Sequence, residues 1–159
     1  MKIALGSDEY TELVGMLLKD LGERGHEVEY FGPLPDSEGS TGEEKAIEMD
    51  WPVTSSLAAS KVLEGKADEA IVLCWTGTGA SIAANKMNGI RAALCHDAET
   101  AKGAKIWNHA NVLALSIRAT SLPVAREILN AWFDTAPGQD EWNLKQIERL
   151  RQIEKSGKP

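Results

Sequence analysis

Cysteine is scarce in this chain: only Cys74 and Cys95 occur in 159 residues, and each closes an apolar, strand-like run. Two cysteines in that setting make no disulfide framework, so reduced thiols and a cytoplasmic location are expected. Basic excess is lacking as well. Seventeen Lys and Arg stand against 24 Asp and Glu, for a net charge of -7 and a pI near 5.0. A general nucleic-acid binder shows a basic face, so nucleic acid is not an expected partner. Anionic small molecules stay open, because one pocket can be positive on an acidic protein. No apolar stretch approaches the ~20 residues of a membrane span, and no signal-peptide pattern opens the chain; no membrane is expected. No spacing of Cys, His, Asp and Glu fits a metal site, so no metal is expected. There are no internal repeats.

What is present is the composition of an ordinary globular protein, 43% hydrophobic and 26% charged, of a length that suits one domain over 1–159. Five apolar runs read as strands: Lys2–Leu5, His26–Phe31, Ala70–Leu73, Ile90–Cys95 and Asn111–Leu115. Helical periodicity fills the intervals. Leu13, Met16, Leu17 and Leu21 mark a first helix, and Asp50-Trp51-Pro52 opens a second with Leu57, Ala58, Val62 and Leu63 as its inner stripe. A polar helix is expected over 98–107, and another after Ser121 with Val124, Ile128, Leu129 and Trp132 inside. The Gly-, Pro-, Ser- and Glu-rich stretch 32–49 has no period and reads as a loop insertion. A charged C-terminal helix over 139–155 carries a narrow seam of Leu144, Ile147, Leu150 and Ile153, of the kind that packs on a partner subunit. Strands alternating with helices predict an α/β, three-layer Rossmann-like fold with a five-stranded parallel sheet, whose ligand site lies beyond the strands' carboxyl ends.

The central stretch is 69–86. Its strand ends at Cys74, Thr76-Gly77-Thr78-Gly79 turns the chain, and a small, Ala-rich helix follows from Ser81. A parallel strand, a glycine turn and a helix start bring free backbone N–H groups together at the positive end of a helix dipole. A thiol beside such a site has its thiolate favoured. The loop is not a nucleotide signature: it lacks the third glycine and acidic residue of the dinucleotide pattern and the Lys-Ser/Thr end of the triphosphate pattern, so no cofactor is expected. Trp51, Trp75 and Trp107 fall at element ends, where aromatics wall a sugar pocket or cover an interface. Cys95 reads as core.

Cys74-Trp-Thr-Gly-Thr-Gly-Ala-Ser-Ile-Ala-Ala-Asn-Lys86, Gly89-Ile-Arg-Ala-Ala-Leu-Cys-His-Asp97 and Asn108-His-Ala-Asn-Val-Leu113 together resemble the ribose-5-phosphate isomerase B and galactose-6-phosphate isomerase family, as do Gly6-Ser-Asp8 and Asp50-Trp-Pro52. The resemblance runs over 1–135. It implies an aldose–ketose isomerisation through an enediolate, with Cys74 as the base that moves a proton between C1 and C2. Gly77, Thr78, Gly79 and the helix start near Ser81 would hold the enediolate oxygen, and Thr76 would assist proton movement between the two oxygens. Asp8 and Asn108 match positions that hold sugar hydroxyls, and Arg118 matches a phosphate arginine. Members borrow residues from a neighbouring subunit, so a homodimer or a dimer of dimers is expected.

Departures from the pattern bear on the substrate. The family's Gly-Ser-Asp-His reads Gly6-Ser-Asp-Glu9 here, and Asp-Tyr-Pro reads Asp50-Trp-Pro52. The histidine credited with opening the sugar ring aligns with Trp107; His109, two positions on, is a candidate replacement. Trp75 takes the place of a glycine beside the base and narrows the pocket. The C-terminal arginine cluster that grips phosphate is replaced by Pro137-Gly-Gln-Asp-Glu-Trp-Asn143. A small sugar or sugar phosphate other than ribose 5-phosphate is therefore the expected substrate. The alternatives are a non-catalytic sugar- or metabolite-binding homologue and a partner subunit of a hetero-oligomeric isomerase.

Overall fold

The computed structural model describes residues 1–35 and 49–157. The expected loop insertion therefore lies, over 36–48, outside the described residues. The elements run β1 (Lys2–Ser7), α1 (Glu12–Glu23), β2 (Glu27–Phe31), α2 (Trp51–Leu63), β3 (Glu69–Cys74), α3 (Thr78–Asn85), β4 (Ala92–Leu94), α4 (Ala98–Asn108), β5 (Val112–Ser116), α5 (Leu122–Asp134) and α6 (Glu141–Ser156). All five strands pair in parallel, in the order β2-β1-β3-β5-β4. This is the Rossmann-like α/β fold that the alternating pattern predicts.

Local chemistry accounts for most element starts. Thr11, Asp50, Asp97, Ser121 and Asp140 each stand at a helix N-cap and accept a hydrogen bond from the amide three residues on. Two layers then cover the sheet. Ile71 and Leu73 of β3 point into a core shared with Leu13, Leu17, Ile128, Leu129 and Trp132. Ala70, Val72 and Cys74 point the opposite way, among Ala58, Ala59, Ala80 and Ala84. A strand covered on both faces has no polar side, which is why 70–74 is an unbroken apolar run. The sense in which the chain moves across the sheet reverses between β1 and β3, and α1 covers one face while α3 covers the other. A crevice opens at such a point beyond the strands' carboxyl ends.

The inner face of α2 differs from the expected stripe. Thr54, Ser55, Ala58 and Ala59 are buried, whereas Leu57 and Leu63 are 36% and 46% exposed and Val62 packs at the edge of the core. The reason is the spacing between layers. A Cβ on Gly6 would fall 2.4 Å from the Thr54 carbonyl oxygen, so α2 lies almost on β1 and only small side chains fit between them. α3 begins at Thr78, three residues before the expected start. Of the α6 seam only Ile147 is buried; Leu144, Leu150 and Ile153 are exposed. Among the described residues no helix is long and apolar enough to cross a membrane.

One charged cluster lies inside the α4–α5 layer. Glu69, the first residue of β3, pairs with Lys105 of α4 and accepts the indole N–H of Trp132 from α5. The Lys105 ammonium also sits 4.8 Å from the Trp132 ring centroid. Each partner satisfies the others, so removing the carboxylate strands a buried cation and a buried donor together. Glu69→Ala is expected to lower stability by about 3–5 kcal/mol, read from urea denaturation midpoints.

Candidate active site

Two strand ends supply the site. β1 delivers Asp8, held by a turn in which the Ser7 hydroxyl donates to the Glu9 carbonyl oxygen at 2.8 Å and accepts from the Glu9 amide at 3.4 Å. Asp8 Oδ1 is buried and has no hydrogen-bond partner among the described residues. Burial pushes this carboxyl above the ordinary carboxylate range, and the carboxylates of Glu9 and Asp50 push the same way. β3 delivers Cys74, whose Sγ accepts from the Ala80 amide at 3.4 Å.

Between Cys74 and α3 the turn is fixed by packing and by hydrogen bonds. Gly77 has φ +76°, a left-handed conformation that L side chains rarely adopt, and a Cβ there would meet Leu94 Cδ1 at 2.5 Å and the Leu115 carbonyl at 2.9 Å. The Cys74 carbonyl accepts from the amides of Gly77 and Ile117, and the Trp75 carbonyl accepts from the Arg118 amide and the Ser116 hydroxyl. Gly77 is also the N-cap of α3, and it brings no side chain to cover the first-turn amides. Among the helices described, α3 alone starts this way. Thr78 and Gly79 of that first turn line the crevice, at the positive end of the helix dipole.

Trp51, at the start of α2, lays its ring over Gly79; a Cβ on Gly79 would lie 3.0 Å from the indole. The hydroxyls of Thr76 and Thr78 are 2.7 Å apart. Asp8, Trp51, Cys74, Trp75, Thr76, Thr78 and Gly79 line one open cavity of about 360 Å³. The thiol is buried yet borders that space, so a ligand in the cavity reaches sulfur, amides and the Asp8 carboxyl at once.

Not every predicted site residue arrives there. Gly77 supports the cavity from behind, and Ser81 sits one turn further into α3, half-buried and outside the lining. Glu9 lines an adjoining cavity with Asp8, Tyr10 and Pro33. The Arg118 backbone is tied to Trp75, but its side chain is exposed and outside the lining. Trp107 and Asn108 are elsewhere. α4 runs antiparallel to the strands, so its C-terminal end falls at the amino edge of the sheet, opposite Cys74. Asn108 borders a separate cavity of about 270 Å³ with Arg91, Leu150 and Glu154. His109 caps α4 with φ +47°, and its Nε2 lies 2.8 Å from the Gly138 carbonyl oxygen. Sequence reasoning misses the Ala80 amide, since a main-chain donor leaves no side-chain signature. Among the described residues, no three His, Cys, Asp or Glu side chains converge as metal ligands do.

A family model described as Ribose/Galactose Isomerase matches residues 3–153 of this chain. The chain belongs to the ribose/galactose isomerase family. The ribose-5-phosphate isomerase B of Escherichia coli is 35% identical over 158 residues, covering 96% of each chain. The D-erythrulose-4-phosphate isomerase of Pectobacterium atrosepticum is 36% identical over 135 residues, covering 84% of this chain and 83% of that one. The galactose-6-phosphate isomerase subunit LacB of Clostridium acetobutylicum is 30% identical over 154 residues, covering 96% and 83%. The solved structure of Clostridium thermocellum ribose-5-phosphate isomerase B superposes with a TM-score of 0.83 at 36% identity, covering 99% of this chain and 100% of that one. Residues 3–153 include every element that builds this cavity, so it belongs to the part of the chain that the isomerase family shares.

The state of Asp8 gives this isomerase-family chain a testable pH signature. A carboxyl whose folded pKa exceeds its unfolded value holds its proton more tightly when folded, so its contribution to stability is present at low pH and lost as pH rises through the folded value. Asp8→Asn escapes that loss. The variant is expected to exceed the parent in denaturation midpoint at pH 7, with the gap closing as pH falls toward 3.8.

Proposed function

We propose that this protein is an aldose–ketose isomerase acting on a small sugar or sugar phosphate, with Cys74 as the base. The observation that carries the reading is a sulfur bordering an open cavity beside the uncapped amides of α3. The thiolate takes the proton from C2 of the open-chain aldose, and the C2–H electron pair forms the C1–C2 double bond of an enediolate as the carbonyl π pair moves onto oxygen. The Thr78 and Gly79 amides face that oxygen, the Gly77 amide being taken by the Cys74 carbonyl; one such donor aimed at a developing oxyanion is worth roughly 3 kcal/mol. Thr76 relays a proton between O2 and O1, and the thiol returns its proton to C1, leaving the ketose. Asp8, whose free carboxylate oxygen needs a partner, takes a substrate hydroxyl.

The rim defines the substrate. The indoles of Trp51 and Trp75 narrow the opening, and three carboxylates, Asp8, Glu9 and Asp50, gather at one end. The narrowed opening disfavours the longer ribose 5-phosphate, and a shorter substrate fits better. The D-erythrulose-4-phosphate isomerase relative supports a four-carbon phosphate as the first compound to try. Trp107, Asn108 and Arg118 serve the site from the edges, the first two by way of a second copy of the chain, since α4 ends at the opposite edge of the sheet. The exposed seam of α6 supports the same pairing. A second reading, a subunit completing a catalytic partner, is favoured by the similarity to a named galactose-6-phosphate isomerase subunit and by the lack of a histidine at Trp107.

Isomerisation of D-erythrulose 4-phosphate, ribose 5-phosphate and galactose 6-phosphate, each followed by proton NMR in D2O, tests the reading. Turnover and C–H exchange are expected with the tetrulose phosphate foremost, and Cys74→Ala should lower kcat by about a hundredfold to ten-thousandfold. Activity untouched by that substitution overturns the mechanism, while an inert homo-oligomer favours the subunit reading. Light scattering should give two or four times the 17.2 kDa of one chain.

A further inference from the structure

We infer that Ser116 is a positioning residue for the isomerisation, through its hold on the Trp75 peptide; the inference rests on the reading of Cys74 and its loop given above. Ser116 ends β5, in register beside Cys74. The strand before it, Val-Leu-Ala-Leu, is wholly apolar and buried, and Ser116 is itself only 2% exposed. A hydroxyl in that place has to be used by the chain, because no water reaches it to compensate.

Both of its hydrogen bonds are spoken for. Ser116 Oγ accepts from the Ala119 amide at 3.1 Å and donates to the Trp75 carbonyl oxygen at 3.0 Å. The first bond closes the turn after β5. The second joins that turn to the loop after β3. Arg118, inside the same turn, gives its amide to the same Trp75 carbonyl at 3.0 Å, and Ile117 gives its amide to the Cys74 carbonyl at 3.1 Å. Two donors on one carbonyl fix the plane of the Trp75–Thr76 peptide, with its oxygen turned toward β5.

The orientation of that peptide bears directly on the anion site. Thr76 and the left-handed Gly77 continue from it into the amides at the start of α3, and Ala80 returns a hydrogen bond to Cys74 Sγ. The loop is therefore held at three points: sulfur, Gly77 and the Trp75 carbonyl. Without the hydroxyl, the Trp75 carbonyl keeps one donor, and that donor sits in a turn which has itself lost the closure at Ala119. The peptide gains freedom to rotate, and rotation carries a carbonyl dipole toward the place where negative charge develops. Such a change acts on the transition state more than on the bound sugar, so it falls on kcat.

The test compares Ser116→Ala and Ser116→Thr, on whichever of D-erythrulose 4-phosphate, ribose 5-phosphate and galactose 6-phosphate the parent protein turns over fastest. Ser116→Ala should lower kcat by about ten- to a hundredfold with KM within about twofold, and Ser116→Thr, which keeps the hydroxyl, should recover most of it. A kcat within twofold of the parent overturns the inference while leaving the role of Cys74 standing. If Ser116→Ala does not fold, Ser116→Cys replaces it, close in shape but a weak donor, with the same expected and overturning values. A parent inert on all three compounds sinks the proposed function instead, and amide hydrogen exchange then decides the positioning claim. Faster exchange confined to 76–80 in the variant supports it, and unchanged exchange there overturns it.

Discussion

The site depends on one steric constraint: the chain must pass from β3 into α3 through Gly77 with no room for a side chain. Leu94 and Leu115 fill the space a Cβ would need, and the backbone angle excludes most other residues independently. Everything functional about the loop derives from that passage. It stops β3 with the thiol at the edge of the crevice, and it starts α3 without a side-chain cap, so no side chain covers the Thr78 and Gly79 amides while the Ala80 amide meets the sulfur. The same packing that forbids a larger residue gives the loop its rigidity. The turn is thus held from beneath by the Leu94 side chain and the Leu115 main chain, and from the side by the hydrogen bonds that tie the Cys74 and Trp75 carbonyls to the end of β5.

How much of this is legible in the sequence depends on how local each cause is. The helix starts at Asp50 and Ser121, the apolar strands and the Thr-Gly-Thr-Gly turn are written in neighbouring residues, and the structure has them where the pattern places them. The inner face of α2 is written elsewhere. Leu57 and Leu63 read as core on hydropathy alone, but the close approach of Gly6 to Thr54 leaves space only for Thr, Ser and Ala. Lys105 is similar: it stands in a polar helix and reads as solvent-facing until Glu69 and Trp132, distant in sequence, close around it.

Site residues divide along the same line. Asp8, Trp51, Cys74, Trp75, Thr76, Thr78 and Gly79 meet because they follow β1 and β3 or open α2 and α3, and topology alone brings those ends together. Asn108 matches the family in chain order and Trp107 stands where it has a histidine, yet chain order carries no information about which edge of a sheet a helix end reaches. The resemblance names their chemistry; only the fold shows that their own chain keeps them from Cys74.

The close approach of α2 to β1 has a further bearing on how such a site can change over evolutionary time. Beneath the cleft the main chain is closely packed, with Gly6 under Thr54 and Gly77 against Leu115, and neither point has room for a side chain. Diversification is thereby channelled to the mouth, where Trp51 and Trp75 project from fixed backbone and can be exchanged without disturbing the machinery below. A lineage built on this scaffold alters what it accepts by redecorating an entrance while the chemistry underneath stays constant.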